Sequence, residues 1–86
     1  MMTRNDIRDE ILSALTAIAP EVDPQDIRDE VLLRDQVDLD SMDWLNVLLG
    51  IHKRLNVDIP EADYQKLRTL NDLIEYVQAH AALSSG

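Results

Sequence analysis

Apolar residues recur at helical spacing in three stretches of the chain, separated by segments where that period is lost. Ile7, Ile11, Leu15 and Ile18 fall about one turn apart, Thr3 or Asn5 is available to cap, and Pro20 closes the segment. The spacing predicts an amphipathic helix over residues 3–19. In the middle of the chain Trp44, Val47, Leu48, Ile51 and Leu55 form one stripe of a second helix, over residues 41–56. Met42, Leu45 and Leu49 form another row beside it. Leu70, Leu73, Ile74 and Val77 mark a last helix. Thr69 caps it, His80, Ala81 and Ala82 finish it, and residues 83–86 are expected to fray.

The intervening segments have a different character. Residues 20–40 hold Val22, Ile27, Val31, Leu33, Val37 and Leu39 among acids, Pro20 and Pro24, without a clean period. So long a connection belongs in a compact domain when its apolar residues pack down or when it has a function. Asn56-Val57-Asp58-Ile59-Pro60 breaks the second helix, and Pro60 is placed to open a short helix through Glu61, Ala62, Asp63, Tyr64 and Leu67. No stretch alternates as a strand would. The expected fold is all-α: a small four-helix bundle, three longer helices plus one short helix, with a long first loop and a single domain over residues 1–86.

One stripe on the second helix suffices for burial in so small a domain. That leaves Met42, Leu45 and Leu49, flanked by Asn46, His52 and Lys53, as a candidate partner surface. With 86 residues and no cysteine, neither a disulfide nor a thiolate metal site supplements the core. The formal net charge of -9 is unevenly spread: residues 1–43 hold twelve acidic and four basic side chains, residues 44–86 five and four. This argues against nucleic acid and anionic membrane surfaces as partners and favours basic proteins. The charged start has no continuous apolar run of the kind that opens a signal peptide, and no segment approaches the length of a membrane span. The expectation is a cytoplasmic monomer that does not insert in membranes.

The candidate chemistry centres on Ser41. It follows the acidic loop Asp35-Gln36-Val37-Asp38-Leu39-Asp40 and starts the second helix. No glycine-serine elbow precedes it, and with two histidines and no cysteine in the chain nothing is arranged to activate it as a nucleophile. Helix capping is the commonest role for such a serine. Asp40 can take the cap, with Asp43 three residues later as a weak capping box, and this leaves the Ser41 hydroxyl unemployed. A phosphodiester there would lie at the positive end of the helix, beside free N–H groups. A calcium loop is excluded: counting from Asp38, the sixth position is Asp43 where glycine is needed and the twelfth is Leu49 where glutamate is needed. His52 and His80 are too isolated for a metal site. No acid–base pair or nucleophile set suggests an enzyme.

Taken together, the helix, the acidic loop, the segment DLDSMD at residues 38–43, the second helix, the NVDIP break at residues 56–60 and the Thr69-capped last helix resemble the acyl carrier proteins. The resemblance covers nearly the whole length. It implies that Ser41 carries phosphopantetheine, transferred from coenzyme A by a phosphopantetheinyl transferase, and that acyl groups ride as thioesters on the terminal thiol. It implies as partners the transferase and acyl-transferring, ligating or condensing enzymes, which would meet Asp40, Met42, Asp43, Leu45, Asn46, Leu49, His52 and Lys53. It further implies an acyl pocket near Trp44, Val47, Leu48, Ile51, Leu67 and Ile74, with the Trp44 indole expected to point inward and occupy space an acyl chain would need.

The chain departs from the family pattern in three respects. Asp38 stands where the family usually has glycine, and Met42 replaces the usual leucine. The second helix has Asn46, His52, Lys53 and Arg54 in the stretch where the family usually carries glutamates. The substitutions imply a specialised lipid or secondary-metabolite pathway such as polyketide assembly. A peptidyl or aryl carrier, or an unmodified helical interaction module, are the alternative functions.

Overall fold

Each long helix starts where a short polar side chain satisfies the free N–H groups of its first turn. The computed structural model describes residues 3–84, excepting the side chains of 81–84, and contains three helices of 15 residues each: α1 (Arg4–Ile18), α3 (Ser41–Leu55) and α4 (Leu70–Ser84). A short helix, α2 (Leu33–Gln36), lies between the first two. Thr3 Oγ1 accepts from the Asp6 N–H at 3.1 Å while the Asp6 carboxylate accepts from the Thr3 N–H at 3.0 Å, a complete capping box. The same reciprocal pair opens α4, where Thr69 Oγ1 accepts from the Asp72 N–H and Asp72 Oδ2 accepts from the Thr69 N–H at 3.2 Å. Of the residues expected to fray, 85 and 86 lie outside those described, whereas the backbone of α4 is helical to Ser84.

α1 packs against both α3 and α4. Ile7, Ile11, Leu15, Val47, Leu48 and Ile51 meet Leu70, Leu73, Ile74 and Val77 in one core, every member at most 2% exposed. Gly50 sets the closeness of the α1–α3 contact, since a Cβ at that position would stand 3.3 Å from the Ala14 Cβ. α3 ends at Asn56, which takes the left-handed conformation (φ 54°, ψ 41°) and donates its N–H to His52 O at 2.8 Å. Asparagine adopts that conformation more readily than most residues.

The long first connection is more ordered than its sequence pattern foretells. A single 3₁₀ turn at Pro24–Asp26 is capped by Asp23, and Ile27, Leu33 and Val37 are buried. Arg8 donates to the Asp29 carboxylate at 3.0 Å and to Ile27 O at 3.3 Å. The Gln36 side chain accepts from Arg28 N–H and donates to the carbonyls of Arg28 and Val31. The Leu33 N–H donates to Arg68 O at 2.9 Å, tying the loop to the start of α4. One turn of α-helix and one of 3₁₀ are too short to impose a hydrophobic period, which is why both read as loop. Conversely, the short helix expected after Pro60 is a 3₁₀ segment, Glu61–Lys66, with Pro60 just before its first residue. The described residues include no strand, only an isolated bridge between Leu32 and Thr69. Among them no helix is long and apolar enough to cross a membrane.

Candidate functional site

The acidic residue before the serine does the capping. Asp40 is extended (φ -84°, ψ -178°), its carboxylate accepts from the Asp43 N–H at 2.8 Å, and its carbonyl accepts from the Trp44 N–H at 2.9 Å. The return half of a capping box, from Asp43 to the Asp40 N–H, is absent among the described residues, so the box is one-sided. Ser41 is the first residue of α3, exposed, and its hydroxyl has no hydrogen-bond partner among the described residues. The first-turn N–H groups of Ser41 and Met42 precede the capped one and stay available to an anion. An exposed, unbonded hydroxyl beside free N–H donors fits a serine that bears a phosphodiester.

Beside Ser41 opens a cleft of about 620 Å³. Its walls come from three elements: Leu32, Leu33 and Arg34 around α2, Trp44 and Leu45 from α3, and Tyr64, Leu67 and Arg68 from the 3₁₀ segment and the turn after it. Trp44 is half-buried and packs against the core while its ring lines the cleft. The indole is therefore a wall of this space, not a plug in the core, although its spacing places it in the buried stripe. Leu67 joins Trp44 at the cleft, whereas Val47, Leu48, Ile51 and Ile74 lie in the closed core.

On the outer face of α3, Met42 is 68% exposed, Leu45 38% and Leu49 46%. Leu45 also lines the cleft, so the exposed row and the space beside Ser41 are continuous. Asn46 and Lys53 flank the row in solvent. His52 is exposed as well, with Nδ1 donating to Val57 O at 2.9 Å, a contact that orients its ring at the end of the helix. Arg54 turns to the other side and pairs with Glu10 at 3.7 Å. No group of three or more His, Cys, Asp or Glu side chains among the described residues is arranged to hold a metal ion.

Sequence pattern does not bring out Leu32, Arg34, Leu39, Tyr64 and Arg68 as neighbours of Ser41. They come from aperiodic segments joined to the site by the contact between α2 and the start of α4. The only available signal was the density of leucine at 32, 33 and 39 in an otherwise polar loop.

The geometry agrees with what the chain is similar to. Residues 9–77 match the family model described as the phosphopantetheine attachment site. The chain belongs to that family, and phosphopantetheine is its cofactor. An acyl carrier protein of Acidothermus cellulolyticus is 30% identical over 81 residues, covering 91% of this chain and 95% of the relative. A meromycolate extension acyl carrier protein of Mycolicibacterium smegmatis is 30% identical over 74 residues, covering 83% of this chain and 75% of the relative. These relatives place the chain among the acyl carrier proteins, which carry acyl groups and are not themselves enzymes. In fold it resembles a solved acyl carrier protein from Enterococcus faecalis, with a TM-score of 0.70 at 17% identity over 92% of this chain and 99% of that one.

Proposed function

We propose that Ser41 is the attachment residue and that the chain presents acyl groups, held on its arm, to enzymes that transfer, ligate or condense them. The observation that carries this reading is the division of labour at the start of α3: Asp40 caps the helix, and the Ser41 hydroxyl is left exposed and unbonded. When attached, the arm supplies the thiol, absent from the side chains of a cysteine-free protein, on which an acyl group is held as a thioester. The chain's own contribution is to hold the attachment oxygen clear of the fold, to offer first-turn N–H donors to the phosphodiester, and to present a docking face.

That docking face is Met42, Leu45 and Leu49 with Asp40, Asp43, Asn46, His52 and Lys53 around it. Apolar residues exposed in a contiguous row favour a protein partner. Asp43 is the acidic residue on the flank of the row nearest Ser41, and Lys53 adds a positive charge at the other end. The combination favours a dedicated set of partners, in a specialised lipid or polyketide pathway, over enzymes whose docking patches are uniformly basic. The setting is a monomer in the cytoplasm, where a transferase using coenzyme A has access to it.

Intact-mass analysis before and after incubation with coenzyme A and a broad-specificity phosphopantetheinyl transferase tests the reading. One arm is expected on the natural protein and none on Ser41→Ala, which still contains Ser13, Ser84 and Ser85. Modification that survives in Ser41→Ala overturns the assignment.

A further inference from the structure

The cleft beside Ser41 is neither a greasy tunnel nor an ordinary polar hollow. Leu39 and Leu67 give it aliphatic surface and Trp44 and Tyr64 aromatic surface, yet two guanidinium-bearing side chains, Arg34 and Arg68, also line it. Behind it the bundle is filled: Leu48 is 2% exposed, and Ile51, Leu70, Leu73 and Ile74 are fully buried. A long apolar chain would have to displace that packing, at a cost that close-packed interiors impose on any inserted methylene. A shorter group can stay in the open cleft.

The two arginines are free to act on such a group. Arg4, Arg8, Arg54 and Lys66 are engaged in ion pairs, and of the four cationic side chains without one among the described residues, Arg28, Arg34, Lys53 and Arg68, only Arg34 and Arg68 line the cleft. Arg68 Nε donates to Gln65 O at 2.9 Å, which fixes the base of its guanidinium and leaves the terminal N–H groups available. Arg34 makes no side-chain hydrogen bond among the described residues. Two carboxylates also line the cleft: Asp40 is engaged with the Asp43 N–H, and Glu61 is exposed at the rim. The cleft is thus close to neutral in a protein of net charge -9. A phosphodiester on Ser41 has its own donors in the first turn of α3, so it does not account for the arginines. Guanidinium groups recognise carboxylates through paired hydrogen bonds, which are stronger than those between neutral groups.

We propose that this cleft receives an acyl group ending in a carboxylate, its methylenes against Trp44 and Leu67 and its far carboxylate on Arg34 and Arg68. The proposal rests on the carrier function and names the class of cargo the chain itself shelters. Trp44 is the single tryptophan and stands in the cleft wall, which makes it a built-in reporter of occupancy.

The test uses the protein with its arm attached, loaded either as the adipyl or as the hexanoyl thioester, two groups of equal chain length that differ in the terminal carboxylate. Adipyl is expected to shift the Trp44 emission and to raise the melting temperature by about 4 °C or more, the scale on which one good interaction registers in a domain of this size. Hexanoyl is expected to do less of both. In Arg34→Gln/Arg68→Gln the adipyl response, read as the shift from that variant's own unloaded form, should fall to the hexanoyl level. Equal responses to the two groups in the natural protein, which need no variant to read, overturn the proposal, as does an adipyl response that survives in the double variant. A protein that takes up no arm at Ser41 overturns the carrier reading as well. One that takes the arm but does not distinguish the two groups overturns only the cleft proposal.

Discussion

The Tyr76 hydroxyl donates a 2.9 Å hydrogen bond to the Asp63 carboxylate, joining α4 to the 3₁₀ segment that forms the outer wall of the cleft. The ring also stacks on His80, with centroids 4.0 Å apart. Asp63 is held from its other side by Lys66 at 3.8 Å. A wall made of a single 3₁₀ stretch has little helical stability of its own, so its position depends on ties of this kind.

Tyr76→Phe removes that tie while keeping the ring. It is expected to lower stability by about 1 kcal/mol, the usual net value of one hydrogen bond to a protein. The phenol also predicts an alkaline signature. Burial first, then the hydrogen bond to Asp63 and the negative charges of Asp63 and Asp58, push its pKa from 10.0 up to about 12. A raised folded-state value means that the neutral phenol is favoured by folding. Its contribution is complete below pH 10 and is lost as pH rises toward 12. Urea unfolding across that range should show the natural protein converging on Tyr76→Phe. A constant gap between the two would show that Tyr76 does not titrate in the way its surroundings require.

Gly50 of α3 faces Ala14 of α1 with little room to spare. Gly50→Val places branched carbon where even a Cβ meets the Ala14 Cβ at 3.3 Å. The expected loss is about 1–3 kcal/mol, the range for overpacking a filled core, read as a lower urea midpoint at unchanged slope. A midpoint equal to that of the natural protein would mean that the helices separate without cost.

The outer face of α3 makes a prediction about partners. Replacing Asn46, His52 and Lys53 by glutamate should speed encounter with a condensing or transferring enzyme whose docking patch is basic, and the gain should shrink as salt is added. Initial rates at limiting carrier concentration read this directly. Equal rates for the natural and acidified proteins would show that these positions do not govern docking.

The acidic half predicts a dependence of stability on ionic strength. Both Arg4 and Arg8 converge on the single carboxylate of Asp29. Meanwhile Glu21, Asp23, Asp26 and Asp38 gather around one shallow hollow. Screening of that like charge should raise the melting temperature as sodium chloride is added. A temperature indifferent to salt would show the repulsion to be already compensated.

Much of this protein follows from its sequence alone. The three long helices follow from apolar residues at three- and four-residue steps, and their ends from Thr3, Asp40, Thr69 and Asn56, because capping is decided by side chains within a few residues of the terminus. Ser41 as an exposed hydroxyl next to a capping aspartate belongs to the same local order of information. The cleft does not. Leu32, Arg34, Trp44, Tyr64 and Arg68 are brought together by the backbone bond from Leu33 to Arg68 and by burial of short segments that have no period of their own. Spacing assigned Trp44 to the buried stripe, but how far a side chain on that stripe is covered depends on what packs over it, and over Trp44 lies a cleft. Sequence decides which face of a helix turns inward; only the contact between segments distant in the chain decides where space is left, because a cavity is a property of the packing and of no single residue.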